Sequence, residues 1–193
     1  MTIFSHISVL ISIILGLAIV HLLSGVSLIL DKRVQTKTYA LHGLWTLSMF
    51  FVSINVWISN FVLATLETIS AIHFLNLIAY ATLVYLISGL LFPVRGEEVT
   101  DFKVHFEDNR LRLYQLFIVF IFVDAFDGFL EHFNAGIPLD VGQFGTLGTW
   151  LVFFLLGLKI NKPKFDWAIG IVFFIGLLGW LQSMIVETNI MTW

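Results

Sequence analysis

The sequence predicts an all-α integral membrane protein, a six-transmembrane-helix bundle with both termini extracytoplasmic. Three observations carry that reading. The 193 residues are 59% hydrophobic and only 12% charged, against about half and about a quarter in soluble domains, so a water-soluble surface could not be covered. The apolar residues gather into six long runs. Every Lys and Arg falls in the connections on one side of those runs or at the run end adjoining one.

A helix needs about 20 apolar residues to cross a hydrocarbon core roughly 30 Å thick. The runs lie at 3–30, 39–64, 69–92, 113–133, 144–160 and 165–186, within one transmembrane domain covering 1–193. Irregular backbone cannot face lipid, and the runs lack the alternation of a membrane barrel, so each is expected as a helix. The first run is too long for a signal-peptide core and follows no basic residue, which reads as a retained helix. Pro93 after the third run and Pro163 before the sixth suit helix edges. Trp45, Trp57, Trp150, Trp167 and Trp193 fall mostly near run ends, where amphipathic rings favour the interface.

The orientation comes from charge. Lys32, Arg33 and Lys37 follow the first run and Arg95, Lys103, Arg110 and Arg112 the third, while Lys159 at the end of the fifth run is joined by Lys162 and Lys164 after it; these are all ten basic residues. The second and fourth connections hold none. Basic connections stay in the cytoplasm, which places both termini outside and the chain in the cell's inner membrane. The 94–112 connection reads as a solvated cytoplasmic linker and a possible partner-docking site. Three spans in each half would suit an inverted repeat, though the halves share no residue pattern beyond scattered Gly-Leu pairs.

Composition also excludes functions. The net charge of −3 offers nothing to a polyanion, so no nucleic-acid partner is expected. Without cysteine there are no disulfides, thiolate metal sites or iron–sulfur clusters. The nucleotide-binding, zincin and hydrolase motifs are missing, as are an arginine-rich voltage sensor and a potassium filter. No lysine lies mid-span for a retinal Schiff base. Asp, Glu and His could serve an intramembrane enzyme, but no spacing singles out a reaction, and no catalytic residue is assigned.

Ionisable residues inside a membrane are rare and mark functional sites. Asp124, Asp127 and Glu131 are spaced i, i+3, i+7, which leaves them within about 60° on one helix face. Asp124 lies about ten residues, or ~15 Å, from the cytoplasmic start of its helix, close to the midplane. His132 continues the acidic stripe outward. With no Lys or Arg on the stripe, neutralisation must come from a proton, a bound cation or hydrogen bonds. The structural alternative is a pair of protonated carboxyls cross-linking helices. Ser48, Asn55 and Ser59 on the second helix and His73, Asn76 and Tyr80 on the third are candidates to line the same interior.

Other polar residues have quieter readings. Ser5, Ser8, Ser12, Gly16, Ser24 and Ser27 follow one drifting face of the first helix and read as a helix-packing seam. No cofactor is expected, but two levels of histidine leave haem b open, with His6, His21, His42 and His73 as candidate ligands. A transition metal held by His6, His73, His132 and the helix-four acids is a similar possibility.

The run Gly16-Leu17-Ala18-Ile19-Val20-His21-Leu22-Leu23-Ser24-Gly25 resembles the first helix of a family of small six-helix bacterial inner-membrane proteins of unassigned function. Trp45 and Trp57, then Gly89-Leu90-Leu91-Phe92-Pro93 and the acidic stretch to Asn109-Arg110, are similar too. The resemblance implies a bacterial inner-membrane location and carries over no reaction or ligand.

The leading functional expectation is a small proton or cation channel or transporter, with the fourth helix lining the route. At this size one copy has little bulk to enclose a path, so a homo-oligomer within the lipid bilayer is expected. The alternatives are a scaffold or signalling subunit that acts through its cytoplasmic loops and moves nothing, and a haem b electron carrier.

Overall fold

A computed structural model describes residues 3–31, 36–59, 69–93 and 99–187. Lys32, Arg33 and Arg95, the end of the expected second span and the connection that follows it lie outside the described residues. The elements are α1 (Ile3–Leu30), α2 (Ala40–Ser59), α3 (Ala71–Leu91), α4 (Phe102–Ala135), α5 (Val141–Lys159) and α6 (Pro163–Glu187). All six are long and apolar enough to cross a membrane. Each carries large apolar side chains pointing out of the bundle, among them Val9, Leu47, Leu75, Phe122, Val152 and Ile175. Such a surface suits hydrocarbon rather than water.

The helix boundaries have local causes. Ser70 caps α3 through its hydroxyl, which accepts from His73 N at 3.3 Å. Asp101 caps α4, accepting from Lys103 N at 2.9 Å and Val104 N at 3.4 Å. Asp140 caps α5, accepting from Gly142 N at 2.8 Å. α4 stops at Gly136, whose left-handed φ of 66° costs a residue without a side chain little. Pro163 opens α6 at the position where its missing N–H is harmless.

The start of α4 differs most from the sequence expectation; α3, α5 and α6 start within three residues of it. α4 begins at Phe102, not at 113, so residues 102–112 are helix and not a solvated linker. Their charges disguise an amphipathic pattern in which Phe102, Phe106, Leu113, Phe117 and Ile121 are buried on one face. Lys103 and Glu107 pair at 3.7 Å on the outer side. With 34 residues, α4 is about 50 Å long, more than a hydrocarbon core requires.

α1 packs on α3, α3 on α4, α4 on α5, α5 on α6 and α6 on α2, which closes back on α1. α2 also meets α3 and touches α4, so it is the innermost helix. The buried face of α1 is Ile7, Ile11, Leu15, Ala18, Leu22 and Gly25. The expected serine seam lies beside it: Ser8, Ser12 and Gly16 are half-buried, while Ser24 and Ser27 are exposed. Ser12 accepts from Trp57 Nε1 of α2 at 3.1 Å.

The described basic residues gather at one end of the bundle, here the basic end. Lys37 N donates to Thr100 O at 2.9 Å and Phe102 N to Lys37 O at 3.0 Å, joining two connections there. Arg110 reaches the third, donating to the Ile160 carbonyl.

Candidate functional site

α4 and α6 are not in backbone contact among the described residues, nor are α2 and α5. Between these four helices lies a cavity of about 510 Å³. Asp140 and Gln143 stand at the end opposite the basic one, and Phe117, Phe154 and Phe173 at its depth. Trp150 lines the α5 side; a side chain at Gly176 would bring Cβ within 2.8 Å of its indole. The walls are aromatic and aliphatic except for a few polar groups.

Asp124 is the carboxyl placed inside this cavity, half-buried, with Tyr80 of α3 beside it on the lining. The Tyr80 side chain lies within electrostatic reach of Asp124. Its ring packs on Phe120 with centroids 4.6 Å apart, which fixes the hydroxyl. Among the described residues no Lys or Arg lines the cavity.

The three-acid stripe divides. Asp127 does not line the cavity but faces the α3–α4 seam, where Asn76 Nδ2 donates to its Oδ1 at 2.9 Å and to Val123 O at 3.3 Å. His73 Nε2 lies 3.3 Å from the same Oδ1. The His73 ring is fully buried, and neither nitrogen has a partner in hydrogen-bond geometry. Glu131 is half-buried within electrostatic reach of Asp127 and His73. The cluster is thus Asp124–Tyr80 on the cavity and Asp127–Asn76–His73–Glu131 behind it.

His132 leaves the stripe, its Nδ1 donating to Ile137 O at 2.8 Å past the end of α4. Asn55 is buried in α2 with both amide atoms unpartnered, and it does not line the cavity. Ser48 donates to Leu44 O and Ser59 to Asn55 O, each within its own helix turn.

The cavity ends on an aromatic layer. Phe117 and Phe154 stack with centroids 4.9 Å apart and planes 7° apart. Phe173 stands edge-on to Phe117 at 5.1 Å, and Trp45 lies 5.2 Å from Phe117. Beyond that layer comes a polar lock that sequence reasoning missed. Arg110 Nε donates to Asp166 Oδ1 at 2.7 Å, and both residues are buried. Tyr114 donates to the same oxygen at 2.8 Å, and Arg110 Nη2 donates to Gly157 O at 2.6 Å. Asp166, an acid just inside an apolar run, was the available signal.

A second feature also escaped the sequence. The last carbonyls of α3 meet three imidazoles from three helices. His105 Nε2 lies 3.0 Å from Leu90 O, His42 Nε2 2.7 Å from Leu91 O and His21 Nε2 2.8 Å from Phe92 O. Each supplies a donor to an end whose carbonyls have no partner within the helix. His21 and His42, candidate haem ligands, thus use Nε2 on backbone oxygens; His6 is exposed on α1. Among the described residues no group of three or more His, Asp or Glu is set to hold a metal ion.

No protein-family model matches the chain, and neither does any curated protein or solved structure.

Proposed function

We propose that the chain is an integral membrane carrier of protons or small cations, with Asp124 as the group that binds and releases them. The carrying observation is Asp124 itself: a carboxyl beside Tyr80 on a 510 Å³ cavity that no basic residue lines among the described residues. An unpaired carboxylate in such surroundings is strongly disfavoured, so it holds a proton or a cation for most of its lifetime. Exchange of one for the other is the elementary step of a coupled carrier.

The aromatic layer favours a carrier over an open channel. Conduction needs a continuous path through the bilayer, whereas Phe117, Phe154 and Phe173 lie at the depth of the cavity, with the Arg110–Asp166 lock beyond. Asp127, Asn76, His73 and Glu131 extend polar groups from Asp124 along the α3–α4 seam, a route for a proton.

The positive-inside rule sets the orientation in this reading. The basic end faces the cytoplasm of an inner membrane, the termini lie outside, and the cavity is accessible from outside. α5 is the span least covered by its neighbours, with 11% of its apolar window buried; a second copy packed there is the expected homo-oligomer.

Reconstitution into proteoliposomes tests the reading. Asp124→Asn should lower proton and monovalent-cation flux at least tenfold, and Glu131→Gln by less. Unchanged flux in both variants sinks it.

A further inference from the structure

We infer that the cavity binds a bulky lipophilic organic cation, held by the Asp124 carboxylate and aromatic walls; this rests on the carrier reading and names its substrate class.

Size comes first. A volume of about 510 Å³ is that of a site for a drug-sized molecule, typically about 300–1,000 Å³, and far exceeds the needs of a bare ion. Donor chemistry comes second. A hard divalent cation demands roughly six oxygen ligands. The lining offers the Asp124 and Asp140 carboxyls, the Tyr80 hydroxyl, Gln143 and Thr146, and Asp140 already caps α5, its Oδ1 accepting from Gly142 N at 2.8 Å. The remaining walls cannot replace a hydration shell.

Those walls suit a different cation. Trp150, Phe154, Phe173, Phe117 and Phe120 present rings around the cavity, and ring faces attract a cation whose charge is spread over an apolar body. The balance of charge points the same way. Asp124 and Asp140 line the cavity with no basic residue among the described ones, so an anion is repelled at both places and a neutral guest leaves the carboxylate unpaired. A quaternary or protonated amine, or a phosphonium, satisfies carboxylate and rings together. Asp124 then serves a proton and an organic cation in turn.

Tetraphenylphosphonium binding to the detergent-purified full chain, measured by equilibrium dialysis, tests the inference. Saturable binding is expected, at least tenfold weaker in Asp124→Asn and largely restored in Asp124→Glu, with each variant's size-exclusion profile confirming a folded protein. Tetraphenylborate, the anion of the same shape, should bind at least tenfold more weakly. Equal binding of the two ions, or full phosphonium binding by Asp124→Asn, would overturn the inference as mere apolar partitioning. No phosphonium binding with Asp124-dependent proton flux intact would end the substrate assignment and leave the carrier reading standing. Phosphonium binding that needs Asp124, without any flux, would keep the site and end the carrier reading.

Discussion

Arg110 and Asp166 form a buried ion pair, Nε to Oδ1 at 2.7 Å, that joins α4 to α6 at a level where the two helices have no backbone contact. Arg110 completes the pair by donating to Gly157 and Ile160 carbonyls at the end of α5, where a cation also meets the negative end of the helix dipole. One guanidinium therefore ties three helices together.

Removing one partner strands the other charge. Asp166→Ala should lower stability by about 3–5 kcal/mol, the usual penalty of an orphaned buried charge. The double variant Arg110→Met/Asp166→Leu should lose less than Asp166→Ala alone. Tyr114→Phe removes a single hydrogen bond and should cost about 0.5–1.5 kcal/mol. Thermal unfolding in detergent, followed by tryptophan fluorescence, gives the order; a double variant weaker than Asp166→Ala contradicts it.

The histidine cap on α3 makes a graded prediction. His42 is buried, with its ring 5.0 Å from Phe92 and 4.6 Å from Phe102. His42→Leu keeps much of the bulk but leaves the Leu91 carbonyl unpaired, a loss of about 1–3 kcal/mol. His105→Leu should cost less, because His105 is only partly buried and its bond is longer. Equal melting temperatures for wild type and His42→Leu would show that the carbonyl finds another donor.

Gly25 and Phe92 meet where a side chain cannot. A Cβ on Gly25 would lie 2.2 Å from the Phe92 ring, which is itself buried. Gly25→Ala should destabilise by about 1–3 kcal/mol through overpacking, and Phe92→Leu should recover part of that loss in the double variant. Additive losses in the cycle would mean that the two positions do not compete for one space.

How much of this the sequence disclosed depends on range. The helices were legible because apolar length is a local property, and α1 needed no adjustment. The start of α4 is hidden in the sequence because Lys103, Glu107 and Arg112 mask the buried face of Phe102 and Phe106. Asp124, Tyr80 and Asn76 were singled out because a polar group in an apolar run stands out. That Asp124 lines a cavity while Asp127 faces Asn76 could not be read, since the two differ only in rotation about one helix. Arg110 resembled one basic linker residue among several; its partner lies 56 positions away. Gly25, His21 and Phe92, quoted for their likeness to a family, meet at one point of the α1–α3 contact.

The aromatic layer supplies the last prediction. If Phe117, Phe154 and Phe173 separate the cavity from the basic end, thinning the layer should produce a leak. Phe154 is fully buried and stacked on Phe117, so Phe154→Ala leaves a void beside the Phe117 ring at the cavity's depth. The variant should pass protons several-fold faster than wild type in vesicles loaded with a pH-sensitive dye, although truncation costs about 3–5 kcal/mol of stability. A leak through an opened layer no longer depends on binding at the carboxyl, so Asp124→Asn/Phe154→Ala should leak like Phe154→Ala. Carrier flux in the single Asp124→Asn variant should still be lost. A Phe154→Ala protein that folds yet conducts no faster than wild type would mean that the barrier lies lower, at the Arg110–Asp166 pair.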